Sequence, residues 1–178
     1  MVFSQAYTEM LNQAHSRCNI EGQRPYPAPC LEIFLLSCAE QRAKQKEATV
    51  FGQLVDIFDW KLTRKQRQTY LKALSLGLTL VLTDLSKTIL WASHSFLSMT
   101  GYATAEAVGR TPKFLQGAET SEHELARIRR HLKQAISVHA DLINYRKGGD
   151  TYTCRVAIAP LHNSQGELTH FLAIEKEV

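Results

Sequence analysis

The fold of this chain is decided by the stretch Gly109-Arg110-Thr111-Pro112-Lys113-Phe114-Leu115-Gln116-Gly117. Strand-like sequence precedes it, and a helix-like segment with three further strand-like runs follows it. Thr111-Pro112 can open one helical turn, because the fixed φ of proline suits the start of a helix. Two apolar residues, Phe114 and Leu115, then stand between polar side chains, which predicts a short helical crossover beside a pocket. The alternative is a plain connector whose Phe114 and Leu115 fill the core.

The sequence on either side of this stretch predicts an α+β fold. Residues 78–84 and 88–91 are rich in β-branched and aliphatic residues, and so are three runs near 138–147, 150–161 and 167–177. Ser121 opens a helix, with Glu124 in the position that completes a capping box. Two strands, a helical crossover and three strands indicate a five-stranded antiparallel sheet with helices on one face.

Residues 1–76 are predicted to form a helical extension, and residues 77–178 the sheet domain. Apolar residues recur at helical spacing between Phe3 and Cys18, and a proline-rich linker follows. A helix from Pro29 becomes charged towards Glu47, a shorter apolar helix covers 50–58, and a basic helix runs from Thr63 to about Ser75.

Composition limits the function classes. Hydrophobic content of 44% and charged content of 21% are typical of a globular protein, and no run of apolar residues approaches the length of a membrane span. The N-terminus lacks the pattern of a signal peptide, so we expect a cytoplasmic location. The four cysteines are then expected to be thiols, and no CxxC pair indicates a metal site.

The sheet domain resembles a PAS domain, and it is similar to the flavin-binding LOV (light-oxygen-voltage) branch of that superfamily. The resemblance rests on five motifs in family order. They are Met99-Thr100-Gly101-Tyr102, Gly109-Arg110 with Phe114-Leu115-Gln116-Gly117, Asn144-Tyr145-Arg146-Lys147, Ile158-Ala159-Pro160-Leu161 and His170-Phe171-Leu172-Ala173-Ile174. It implies a PAS fold and a sensory role for residues 77–178.

The resemblance also implies that light-driven adduct chemistry is absent. In LOV domains a cysteine of the crossover motif bonds covalently to the flavin ring, and Pro112 occupies that position here. Proline carries no nucleophile. Cys154 aligns with a different pocket position, at which LOV relatives carry an asparagine.

Seven residues align with the flavin contacts of LOV domains. Lys113 and Arg129 would hold the phosphate, and Gln116 and Asn144 the ring. Thr111 and Cys154 replace ring-contacting asparagines, and Glu175 replaces the glutamine that senses the state of the flavin. A carboxylate there would repel a reduced, anionic flavin unless burial kept it protonated. The cofactor therefore stays open, with a flavin nucleotide (FMN or FAD) as the candidate.

The sequence predicts a stand-alone sensory module rather than an enzyme. It contains no glycine-rich phosphate loop, no metal-ligand cluster and no nucleophile motif, and we expect output through protein contact with a downstream signalling protein. The alternative is a flavin-binding photoreceptor or redox sensor that works by flavin reduction. A third hypothesis, a DNA-binding regulator, depends only on the basic segment 61–75, which is more typical of a solvated helix face.

We expect the extension to pack on the sheet and to build a homodimer. Short amphipathic helices are marginal in water and need a surface to bury their apolar faces. The outer face of the sheet in PAS domains is often covered by flanking helices or by a second subunit. The predicted interface therefore comprises the N-terminal helices, the sheet, or both, with the helix from Thr63 to Ser75 connecting the two parts.

Overall fold

A computed structural model describes residues 28–178, and the predicted helix between Phe3 and Cys18 lies outside the described residues. Packing divides the chain into residues 1–41 and residues 42–178. All contacts described below belong to the second unit. No helix of the described part is long and apolar enough to cross a membrane.

The core of the second unit is a five-stranded antiparallel sheet in the order β2-β1-β5-β4-β3. The predicted α+β fold with five strands is therefore confirmed. The β3–β4–β5 meander forms one side of the sheet, β5 pairs with β1, and β2 lies at the edge beside β1. The strands are β1 (Thr79–Thr83), β2 (Ile89–Ala92), β3 (Val138–Tyr145), β4 (Thr151–His162) and β5 (Leu168–Glu177).

Helices precede the sheet and form the crossover between β2 and β3. Pro112 takes the first position of the 3-10 helix, as the sequence predicted, and Ser121 caps α5 by accepting a hydrogen bond from the Glu124 N–H. The helices are α1 (Ala28–Ile57), α2 (Arg64–Ser75), α3 (Ser95–Thr100), α4 (Thr104–Ala107), the 3-10 helix (Pro112–Leu115) and α5 (Glu122–Lys133).

The prediction of two separate helices before residue 60 was wrong, because α1 is continuous from Ala28 to Ile57. No proline or helix-capping signal interrupts the residues between the two predicted helices, and the change from charged to apolar side chains alone does not end a helix. Gly52 lies inside α1, where a single glycine is tolerated at a cost of about 1 kcal/mol relative to alanine.

The outer face of the sheet is covered by the end of α1 and by α2. Phe51, from α1, and Tyr70, from α2, are 1% and 4% exposed, and their ring centroids lie 5.6 Å apart. They belong to one apolar cluster with Leu80, Leu82 and Leu172 of the sheet, to which Val55, Trp60, Ala73, Leu74 and Leu161 also contribute. Contact between this part of the predicted extension and the sheet is therefore observed within residues 42–178. The role of residues 1–76 as a dimerisation segment stays a prediction.

A linker clasp, formed by residues 59–61 against the β4–β5 turn, holds the segment between α1 and α2. The Trp60 indole N–H donates to Nδ1 of His170 over 3.2 Å, and both residues are buried. The Lys61 N–H donates to the His162 carbonyl over 2.9 Å, and Ser164 hydrogen-bonds Asp59. The path of the chain from α1 to α2 is thereby fixed to the sheet.

Candidate functional site

A cavity of about 390 Å³ lies between the inner face of the sheet and the crossover helices. This volume falls within the range of small-molecule sites, roughly 300–1,000 Å³. Its walls are mainly aliphatic and aromatic and come from β1, the 3-10 helix, α5, β3 and β5. They include Val81, Leu115, Leu125, Ile128, Leu142 and Phe171.

All seven residues that the sequence singled out line this one cavity, together with Pro112. Three of the seven lie in the crossover, one lies on α5 and three lie on the inner face of the sheet. They are Thr111, Lys113, Gln116, Arg129, Asn144, Cys154 and Glu175. The structure thus brings together residues that are up to 64 positions apart in the chain, and their roles towards a ligand stay predictions.

The crossover is held against β3 by a close approach at Gly117. A Cβ atom at this position would lie 2.4 Å from Cε2 of Tyr145, which is too close for any other residue without movement of the ring. The Glu119 N–H donates to the Tyr145 hydroxyl over 3.0 Å, and the Thr120 hydroxyl donates to the Ile143 carbonyl over 2.6 Å. These bonds hold the segment that follows Gln116 against β3.

Two buried polar atoms, one in the cavity wall and one on the strand beside it, lack a well-aligned hydrogen bond among residues 28–178. They are Oδ1 of Asn144 and the hydroxyl of Tyr152, which stand opposite each other on β3 and β4. Burial raises the pKa of Tyr152, and the nearby side-chain amide of Asn144 opposes that rise, while the Arg146 guanidinium lies 4.5 Å above the tyrosine ring. Buried polar groups normally find partners, so an orphaned acceptor in a cavity wall indicates a place for a ligand donor.

Cys154 and Glu175 face each other in the same wall. Sγ of Cys154 lies 3.9 Å from a carboxyl oxygen of Glu175. Burial raises the pKa of the Glu175 carboxyl to about 7, although the residue as a whole is only half-buried. Burial, and then the nearby carboxyl group, raise the pKa of the Cys154 thiol. The thiol is therefore protonated at neutral pH and is a poor nucleophile.

The open side of the cavity carries positive charge. Lys113 and Arg129 are exposed there, and Arg129 lies 3.5 Å from the Glu122 carboxylate. Lys87, in the β1–β2 turn, and Lys133, one helical turn after Arg129, also line the cavity. Sequence reasoning missed these two lysines, as it missed Tyr152. Four cations on one side favour an anionic group on the ligand, such as a phosphate.

The comparison with protein families decides what this domain is. The PAS domain family matches residues 77–178 of the chain. The chain belongs to the PAS domain family. Its match begins at the residue at which the sequence predicted that the sheet domain starts.

The sequence is similar to segments of a phototropin and of a blue-light-activated histidine kinase. Phototropin-2 of Oryza sativa subsp. japonica is 36% identical over 107 residues, which are 58% of this chain and 12% of phototropin-2. A blue-light-activated histidine kinase of Brucella ovis is 36% identical over 90 residues, which are 51% of this chain and 18% of the kinase. The chain therefore matches less than a fifth of the length of these relatives.

Solved structures support the same assignment. A light-oxygen-voltage domain from a flavin-analogue study is 34% identical, with a TM-score of 0.57 over 62% of this chain and 84% of that chain. The light-state dimer of the fungal blue-light photoreceptor Vivid is 26% identical, with a TM-score of 0.54 over 57% and 78%. The predicted PAS membership and LOV-like character are thus confirmed.

Proposed function

We propose that this chain is a sensory module that binds a small molecule in the cavity and signals through protein contact, without a covalent thiol adduct. The observation that carries the proposal is the identity of the cavity-lining crossover residue, Pro112. The cavity does contain a cysteine, Cys154, but its thiol lies on β4 and is held protonated by burial. The sensing function rests on the LOV-like PAS domain, and the absence of an adduct rests on these two side chains.

Illumination of the flavin-loaded chain tests the absence of an adduct. The protein is reconstituted with FMN and exposed to blue light, and we expect no reversible absorbance change of the thiol-adduct kind. The matched variant is Pro112→Cys, which restores a thiol at the crossover position. An adduct spectrum in the unsubstituted chain, or covalent FMN on Cys154 by mass spectrometry, would contradict the proposal.

A flavin nucleotide, FMN or FAD, is the ligand that the lining residues support best. Lys113 and Arg129 would hold the phosphate on the open side, and Gln116 and Asn144 would hold the ring, with the orphaned Oδ1 of Asn144 accepting from it. A bound flavin would supply light absorption and reversible reduction. Thr111, Cys154 and Glu175 would complete the polar surroundings of the ring.

Flavin occupancy after purification tests this assignment. We expect Arg129→Ala to lower occupancy, because it removes a cation from the open side of the cavity. Arg130→Ala is the matched control, since Arg130 is exposed on the same helix and does not line the cavity. Equal occupancy in the two variants, with the fold intact, would remove the phosphate role from Arg129.

Output through a homodimer is the second part of the proposal. The helices after residue 42 already cover the apolar outer face of the sheet. A second subunit would therefore meet these helices rather than the bare sheet. Ile57 and Leu76, at the ends of α1 and α2, are 72% and 64% exposed and offer apolar contact.

Light scattering of the full chain and of a chain that lacks residues 1–41 tests the dimer. We expect a dimer for the full chain and weaker association after truncation, with the buried residues of α1 retained. A monomeric full chain, or a truncated chain that dimerises with undiminished affinity, would contradict the role of the extension.

A further inference from the structure

The Glu175 carboxyl is an acid enclosed in the cavity wall with little to neutralise it. Within residues 28–178, its only recorded hydrogen bond is the 3.9 Å contact with Sγ of Cys154, and a thiol is a weak donor. The backbone of Glu175 pairs with Thr79 on β1 and Val156 on β4, so its side chain is anchored on a central strand. An acid in this position meets any ligand that fills the cavity.

The charged groups around Glu175 do not pair with it. Arg146, which lies on the same side of the sheet, is engaged by Glu177 and by the Met99 carbonyl. The cations that line the cavity are on its open side, and none forms an ion pair with this carboxyl among the described residues. They are Lys87, Lys113, Arg129 and Lys133. Loss of hydration therefore dominates, and it favours the neutral acid.

We propose that Glu175 is the proton-dependent recognition group of the cavity, donating a hydrogen bond to a ligand carbonyl when neutral and repelling that carbonyl when ionised. This inference rests on the proposed ligand-binding function and specifies how it is controlled. A glutamine at this position would present a donor at every pH, whereas a glutamate presents one only while it keeps its proton.

A second polar group of the same cavity, Asn144 on β3, defines the ligand chemistry further, and strand β4 separates it from Glu175. Oδ1 of Asn144 accepts a hydrogen bond at every pH, and neutral Glu175 adds a donor. The cavity then matches a heterocycle that presents both a carbonyl and an N–H group. Ionised Glu175 leaves two acceptors and a negative charge in the same cavity, which such a heterocycle cannot satisfy.

The test measures the affinity of the full chain for FMN at pH 6 and at pH 8. We expect affinity to fall about tenfold between the two pH values. An acid with a pKa near 7 has about ten times less of its neutral form at pH 8 than at pH 6. Glu175→Gln should show no such fall. Glu167→Gln, which removes an exposed acid from the turn before β5 and outside the cavity, should retain it. A fall that persists in Glu175→Gln, or a flat profile in the unsubstituted chain, would overturn the proposal.

A second measurement separates this proposal from the flavin assignment. If FMN binds to none of these proteins at either pH, the flavin assignment fails, and the empty protein is titrated by carbon-13 NMR. The carboxyl resonance of Glu175 is assigned as the one that disappears from the spectrum of the Glu175→Gln variant. A midpoint near neutral pH supports proton-dependent recognition of another ligand, and an ionised carboxyl at pH 5.5 overturns it.

Discussion

The two faces of the same sheet differ in how they are closed. The outer face buries leucines of β1 and β5 against α1 and α2 in an apolar cluster. The inner face, built from the alternate residues of the same strands, borders a cavity with orphaned polar atoms and an enclosed acid. In β5, Leu172 points outward with 1% exposure, and the next alternate positions, Ala173 and Glu175, face the cavity.

One strand can therefore contribute to stability on one face and to ligand recognition on the other. Side chains alternate along a strand, so the two faces are specified by interleaved residues. A shift of β5 caused by a ligand in the cavity would act directly on the helices that pack against the outer face of the sheet.

Phe51→Ala should cause the largest loss of stability, because it opens the closed outer face. Phe51 is 1% exposed and packs against Tyr70, so we expect a loss of about 3–5 kcal/mol in the free energy of unfolding. Urea denaturation measures it. Gln53→Ala, at an exposed position of the same helix, is the control and should change stability by less than about 0.5 kcal/mol. Similar losses in both variants would show that the outer face is not a packed core.

Gly117→Ala should destabilise the crossover that forms one cavity wall. The added methyl group would collide with the Tyr145 ring, and we expect a cost of about 1–3 kcal/mol. Gly52→Ala is a control of opposite sign. Gly52 lies in a helix with only a flexible arginine end 4.0 Å away, so alanine there should stabilise by about 0.5–1 kcal/mol. Denaturation midpoints that move in the same direction would refute this account.

Glu175→Gln should stabilise the protein at pH 8 and much less at pH 5. The folded-state pKa of Glu175 is raised to about 7 from an ordinary value of 4.5, so the folded state binds the proton more tightly than the unfolded state. Stability is therefore lost as pH rises from 4.5 to 7. Because the residue is half-buried, we expect a gain of about 1–2 kcal/mol at pH 8, measured by thermal unfolding across pH. The same gain at both pH values would exclude an ionisation effect.

Trp60→Phe should give the smallest effect, because it removes one hydrogen bond of the linker clasp and keeps most of the ring. We expect a loss of about 1 kcal/mol at pH 8. Burial lowers the pKa of His170, so the clasp contributes stability above the unfolded-state value of about 6.5 and loses it as pH falls below that value. The control is Trp91→Phe. Trp91 is half-buried on β2, and its indole N–H has no hydrogen-bond partner among the described residues. A Trp60 variant with unchanged stability at pH 8 would show that the clasp does not hold the linker.

Local signals in the sequence predicted the strands and the crossover, whereas the seven candidate site residues came from the resemblance to LOV domains. Pro112 marks the start of a helical turn, Ser121 caps a helix, and the motif around Asn144 has a characteristic spacing. Each signal lies within a few residues of the feature that it specifies. Local pattern alone predicted a pocket beside the crossover, and the resemblance supplied the residues that line it.

The features that sequence missed depend on distant parts of the chain. Lys87 and Lys133 reach the cavity from a turn and from a helix end, and neither carries a local pattern. Tyr152 is an ordinary strand residue whose hydroxyl is orphaned only because of what surrounds it. Helix α1, by contrast, continues across its change of composition because no helix-breaking residue interrupts it, and such an absence is a weak signal in a sequence. The raised pKa of Glu175 likewise follows from enclosure, which only the packed fold creates.

The linker clasp gives the protein a built-in optical reporter. The chain has two tryptophans, and the indole of Trp60 lies against the imidazole of His170, with ring centroids 5.3 Å apart. A protonated imidazole quenches indole fluorescence, and detachment of the linker would expose the indole to water and shift its emission to longer wavelength. The emission of Trp60, recorded in the Trp91→Phe background, would therefore follow the docking of the linker on the sheet in real time, without any attached dye.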